Sequence, residues 1–211
     1  MTKRNYDSTS RRAAAESTRQ AILEAARNLF SKIGYTATTM PAIARAAGVA
    51  MDTVYATVGK KPALFRLLIE MAISGTDKEV PAEERDYVHA IRAEASAARK
   101  LQIYAAAVSD IQVRLAPLFR VLQSAAPLDS SLNALWKSIG KRRAKNMRLF
   151  AADLASTGEL RKGLAISQAA DIIWSLNSSE FYLLLVEQRG WSREDLENWL
   201  GDALRRLLLE S

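Results

Sequence analysis

The chain has 211 residues, of which 49% are hydrophobic, a size and composition suited to one or two ordinary domains. It lacks cysteine, which excludes disulfides and thiolate metal sites, and its one histidine, His89, argues against a His-cluster metal centre or a His-based catalytic dyad. The net charge of +7 is unevenly placed: residues 1–66 hold eleven Lys or Arg against four Asp or Glu, while residues 67–211 hold nineteen of each, so the first third meets any polyanion.

Residues 1–12 are polar, with Lys3, Arg4, Arg11 and Arg12, and are expected to form a flexible basic arm or a disordered tail. A helix is expected over about 13–33. Ser17 to Gln20 has the form of a capping box. Ala21, Ile22, Ala25, Ala26, Leu29, Phe30 and Ile33 recur at helical spacing, and Gly34 ends the run. Thr39 can cap a short helix that begins near Pro41, where proline removes no needed donor. Gly48 closes that helix, and a second short helix follows from about Met51 to Thr57, with Val54 and Val58 turned inward. Gly59 breaks it, and Pro62 opens a longer helix to Ser74. Helix, glycine turn, helix is the pattern whose second helix enters the DNA major groove.

Over residues 18–70 the stretch AILEAARNLFSKIGYTATTMPAIARAAGVAMDTVYATVGKKPALF closely resembles the DNA-binding domain of the TetR family of bacterial transcriptional regulators. LF, GY, TTM, IA, AAGV, TVY, GKK and ALF occur in order and at the family's spacing. Two departures touch the DNA side: Ala50 stands where the family often has Ser, and Ala56, Thr57 and Val58 stand where it often has an aromatic or His pair and then Phe. The resemblance implies that Thr39, Tyr55, Thr57, Lys60 and Lys61 lie against phosphates and that Met51, Asp52, Thr53 and Ala56 lie near base edges. It also implies an all-α, two-domain architecture: a three-helix helix-turn-helix domain over 13–60, then a helical ligand-binding and dimerisation domain over 61–211.

The remainder reads as helices throughout: 82–94, 97 to about 125 with a kink or break at Pro117, 129–157 capped by Asp129 or Ser130, one helix from a Ser167 cap to about Gln188, and 193–209 behind the capping box of Ser192 and Asp195. On the long helix, Leu132, Leu135, Trp136, Ile139, Met147, Phe150 and Leu154 share one face, and Arg143 falls in its middle. A charge there is either ion-paired to a core-facing acid such as Asp171 or Glu180, or it belongs to a pocket wall. Tyr104, Phe119, Trp136, Met147, Trp174 and Asn177, with Arg143, are the candidate ligand-binding residues. The 168–188 segment is apolar on two sides: Ile172, Leu176, Leu183 and Val186 on one, Trp174 and Phe181 on the other. With Leu196, Trp199, Leu200, Ala203, Leu204 and Leu207 it suits a homodimer interface over about 168–209.

The expectation is therefore a cytoplasmic, one-component repressor, released from double-stranded operator DNA by a small-molecule effector. GKKPAL lacks the spacing of a phosphate loop, and with no metal cluster, nucleophile–base pair or cofactor loop, neither an enzyme nor a bound cofactor is expected. No run of eighteen apolar residues suggests a membrane span, and the N-terminus does not read as a secretory signal.

Overall fold

The computed structural model describes residues 3–210, with side chains described from residue 10 onward. Among the described residues there are ten α-helices and a single isolated bridge, Leu160 to Leu209. Helix α1 spans Lys3–Ala37 and is interrupted at Gly34, whose φ of 79° turns the chain as the sequence anticipates. It starts earlier than expected and extends through the stretch read as a basic arm. Ser17 therefore sits inside a helix, and its capping-box pattern starts nothing. Residues 1 and 2 of that arm lie outside the described residues.

Helix α2 (Met40–Ala47) is capped by Thr39, whose hydroxyl accepts from the Ala42 amide at 3.3 Å. Gly48 ends it in the left-handed region at φ 68°, a conformation open to glycine at little cost. Its buried face is Met40, Ile43 and Ala44, while Ala46 is exposed. Helix α3 (Met51–Val58) buries Val54 and Val58, and α4 (Lys61–Ser74) buries Leu64, Phe65, Leu68 and Ile69.

The body comprises α5 (Asp86–Ala93), α6 (Ala97–Ala125), α7 (Ser130–Ala155), α8 (Ile166–Leu176), α9 (Ser179–Tyr182, prolonged by a wide turn over Leu183–Gln188) and α10 (Arg193–Leu208). Four expectations are corrected here. The 82–94 segment is a short 3-10 turn, Ala82–Glu84, followed by α5. Helix α6 runs through Pro117 undivided; the carbonyl that loses its donor belongs to Val113, an exposed residue. Helix α8 starts without Ser167: the Gln168 side chain accepts from the Ala165 amide at 3.2 Å.

The fourth correction concerns the helix expected from 167 to 188, which is broken at Asn177 and Ser178. Gln112 of α6 supplies the reason. Its amide donates to the Asn177 carbonyl at 2.8 Å and accepts from the Ser179 hydroxyl at 2.8 Å. One buried side chain thus takes over a carbonyl that an unbroken helix would have paired internally, and holds the Ser179 hydroxyl beside it.

The apolar interior falls into two main clusters. The first joins the head, around Ile22, Phe30, Ile43, Phe65 and Leu68, to the near ends of α6 and α7, around Leu118, Leu122, Leu132 and Ile139. The second joins the far ends of α6 and α7 to α8 and α10, around Leu101, Tyr104, Phe150, Leu154, Ile173 and Leu204. A core therefore runs unbroken across residue 60, and the head is packed onto one half of the body only.

Candidate DNA-binding head and body cavity

The head is held by an aromatic triad. Phe30 meets Phe65 edge-on at 4.9 Å between ring centres, and Tyr35 meets Phe65 at 5.3 Å and stacks on Phe30 at 5.7 Å. With Phe30 and Phe65 fully buried, α1, α4 and the segment after Gly34 form one rigid mount for α2 and α3.

On that mount Asp52, Tyr55, Ala56, Thr57, Lys60 and the capping Thr39 are exposed. Tyr55 is among the exposed large hydrophobic side chains, at 46%. The Thr57 hydroxyl donates to the Thr53 carbonyl at 2.6 Å, and Thr53 is half-buried. Met51 is also half-buried and packs against the head core. Lys61 lies folded over the Tyr35 ring, with Nζ 4.1 Å from its centre and 3.5 Å from the Thr36 carbonyl. Burial lowers the Lys61 pKa and the Asp129 carboxylate opposes that, while burial, aided by Asp129, pushes the Tyr35 phenol up to about 12. Asp129 is the N-cap of α7, accepting from the Ser131 and Leu132 amides, and its charge acts on Lys61 at the start of α4.

The body contains a cavity of about 410 Å³ between the two apolar clusters. Ile111, Leu115, Phe119 and Ile139 line it from the head-side cluster, and Tyr104, Val108, Met147 and Phe150 line it from the far one. Its buried polar edge is a network. The Asn177 amide donates to the Tyr104 hydroxyl and to the Met147 sulfur at 3.2 Å, and the Tyr104 hydroxyl itself lies 3.1 Å from that sulfur. Burial drives the Tyr104 phenol above its ordinary value, so it stays protonated.

Five of the seven candidate ligand residues, Tyr104, Phe119, Arg143, Met147 and Asn177, line this cavity. Two do not. Trp136 stands behind the wall, stacked on Phe119 at 4.7 Å, because its ring packs toward the head-side cluster. Trp174 is 40% exposed on α8, with the Arg143 guanidinium 4.4 Å from its ring centre.

Arg143 is not ion-paired to Asp171 or Glu180. Its Nε donates to the Asn177 side-chain oxygen at 2.9 Å and one Nη donates to the Trp174 carbonyl; among the described residues no carboxylate lies within salt-bridge distance. The break at Asn177 explains this, since it turns that side chain and the end of α8 toward Arg143. Burial lowers the Arg143 pKa, which is the cost of holding the charge there, and the more distant Tyr104 and Glu180 act against it.

Its neighbour Arg142, off the apolar face of α7, grips Glu70 of α4 through one Nη, at 2.8 and 2.9 Å from the two carboxylate oxygens. Glu70 is 3% exposed, and Arg142 lines the cavity. The sequence carried a signal for this pair: Glu70 interrupts the apolar run LLIEMAI on a helix that must be buried. Close by, Arg114 of α6 donates to the Ala72 carbonyl at 3.1 Å near the end of α4. His89 is exposed, and among the described residues no cluster of three or more His, Asp or Glu is placed to hold a metal. Among them, too, no helix is long and apolar enough to cross a membrane.

A three-helix head with a glycine-turned α2–α3 pair, mounted on a helical body, defines the architecture of a helix-turn-helix transcriptional regulator. Residues 22–68 match the family described as bacterial regulatory proteins, tetR family. The whole fold is similar to that of NalD, the secondary repressor of the MexAB-OprM multidrug efflux pump in Pseudomonas aeruginosa, with a TM-score of 0.70 at 22% identity over 94% of this chain and 99% of that one. It is also similar to a putative transcriptional regulator from Saccharomonospora viridis solved with choline (TM-score 0.67, 17% identity, 92% of this chain and 98% of that one). A third likeness is to SmeT in its triclosan complex, with a TM-score of 0.62 and 19% identity over 92% of both chains. No curated protein is detectably similar to the chain in sequence.

Proposed function

We propose that the chain is a ligand-responsive repressor: a homodimer that holds double-stranded operator DNA through α3 and lets go when a small molecule enters the body cavity. The observation that carries this reading is the place of the cavity, between a cluster that includes the head and a cluster that includes α8 and α10. A molecule that widens this seam moves the head against the rest of the body. Glu70–Arg142 and Arg114–Ala72 cross from α4 to the cavity helices and transmit the shift. The choline and triclosan complexes of two fold neighbours are consistent with a small molecule in such a body.

On DNA, Thr39, Tyr55, Thr57, Lys60 and Lys61 meet phosphates, and Asp52, Thr53 and Ala56, with the partly packed Met51, face base edges. The Lys61 amine leaves the Tyr35 ring for a phosphate at the start of α4. Ligand contacts come from Tyr104, Phe119, Met147, Asn177 and Arg143. The homodimer forms over about 168–209, where Trp174, Leu184 and Leu207 are exposed. Leu196, Leu200 and Leu204 are buried within one subunit, so the interface is built from the outer side chains of these helices rather than from their whole apolar complement.

A gel shift with DNA flanking the chain's own gene tests the reading. A discrete complex that tolerates competitor DNA, with a pseudo-palindromic footprint, is expected. Retardation that any competitor abolishes would overturn it.

A further inference from the structure

The charge around the cavity is one-sided. Arg85, Arg92, Arg142, Arg143 and Lys145 line it, against two carboxylates, Glu83 and Asp153. Asp153 is already neutralised by Lys100, whose Nζ lies 2.7 Å away. Arg85 is committed to the Val80 carbonyl and Arg142 to Glu70. Arg92 and Lys145 are exposed, so Arg143 is the partly buried cation left without an anionic partner among the described residues. Its partners are a neutral amide, a backbone carbonyl and an indole ring, and its second Nη has no partner among the described residues.

A partly buried guanidinium balanced only by neutral groups costs desolvation without recovering a full ion pair. An anion brought to it recovers that pairing with charge-assisted hydrogen bonds, in a place where water screens poorly. Beyond Arg143 the wall is apolar: Val108, Leu115, Phe119, Ile139 and Phe150. A cavity of about 410 Å³ is within the range that holds a small ligand. A cation would meet the same basic lining at a loss.

We propose that the effector is an amphipathic anion, with an apolar body among these side chains and one acid group held against Arg143. This deepens the effector reading above and rests on it. The acid group shares the guanidinium with Asn177, so the ligand engages the residue at which the α8–α9 helix breaks. The cationic rim of Arg85, Arg92 and Lys145 draws the anion toward the opening. The chemistry admits a carboxylate, a sulfate or a phenolate equally.

Three probes with one ten-carbon chain separate charge from bulk: decanoate and decyltrimethylammonium below their micellar concentrations, and decanol below its solubility limit. Binding to the full-length protein is read from tryptophan fluorescence, because Trp174 lies on Arg143 and Trp136 on the cavity-lining Phe119. Decanoate should bind at least about tenfold more tightly than either other probe. In Arg143→Met the preference over decanol should fall to about twofold, and Arg143→Lys should restore part of it. The selectivity of the wild-type protein stands even if a variant fails to fold.

Equal affinity for decanol or for the ammonium overturns the proposal, as does a decanoate preference that survives in a folded Arg143→Met, or no binding by any of the three. If decanol binds as tightly as decanoate and still releases the chain's own upstream DNA, the anion claim falls while the ligand-released repressor stands. If decanoate binds selectively but no specific DNA complex exists to release, the repressor reading falls instead.

Discussion

The head and the far half of the body are both helical and both buried at their centres, yet they are built on different rules. The head's interior is an aromatic triad inside an aliphatic shell, with Thr38 and, on α4, the Arg142-paired Glu70 as its buried polar side chains. The body's interior carries Lys100, Ser109, Gln112 and Asn177 among its buried polar side chains and wraps a cavity. A close-packed apolar core resists deformation, so the head moves as one piece. A polar network around a cavity has alternative pairings, so the body has arrangements to choose between. The difference assigns rigid presentation of α3 to one region and adjustability to the other.

The contrast can be broken from the head side with the largest effect. Phe65→Ala removes the centre of the triad and should cost about 3–5 kcal/mol, read as a large fall in the urea midpoint. The same truncation at Phe119, which borders the cavity, should cost less than at Phe65, since its surroundings are already incomplete. Equal losses at the two sites would erase the distinction.

Next in size is the tie between the regions. Arg142→Met strands the buried Glu70 carboxylate. The loss should be roughly 2–3 kcal/mol, below that of a fully buried pair because Arg142 keeps about a third of its side chain in solvent. Glu70→Leu combined with Arg142→Met should recover much of that stability while uncoupling ligand from DNA. Stability recovered together with intact coupling would remove the pair from the transmission route.

Gln112→Ala should cost about 1–3 kcal/mol by orphaning the Asn177 carbonyl and the Ser179 hydroxyl. Hydrogen exchange should rise first in the chain around Asn177, not in α6. The smallest effect belongs to the DNA face. Lys61→Ala should weaken binding about equally on all sequences and reduce the salt slope by about one unit, measured by titration at several salt concentrations. Asp52→Ala, if Asp52 reads a base, should instead change which operator is preferred at an unchanged salt slope.

The head was legible in the sequence because its signals are local. Caps, glycines and apolar spacing act within a few residues, and Thr39, Gly48 and Gly59 stand where the pattern placed them. The body was less legible because its decisive contacts are long-range. Nothing within a helical turn of Asn177 announces that Gln112, 65 positions away in sequence, will take its carbonyl and break the helix. Of the two alternatives open for Arg143, pairing with Asp171 or Glu180 gives way to contacts with Asn177 and Trp174 at that break. Trp136 and Trp174 were assigned by helical face, but a face does not say whether a side chain meets a cavity or the wall behind it. Glu70 was readable as an anomaly, a lone acid in an apolar run, but its partner was not.

The central claim is that the seam cavity governs the separation of two heads. The absence of cysteine makes this directly measurable, since Lys32→Cys on the exposed side of α1 places one spin label on each subunit of the proposed dimer. Electron–electron distances are then compared without ligand and at saturation with whichever of the three amphiphiles binds most tightly by tryptophan fluorescence. The account predicts that the ligand shifts the inter-label distribution by several ångströms, of the order of a helical turn of about 5.4 Å, and that added operator DNA restores the ligand-free distribution. Identical distributions with and without saturating ligand, alongside ligand-dependent release of DNA, would contradict it.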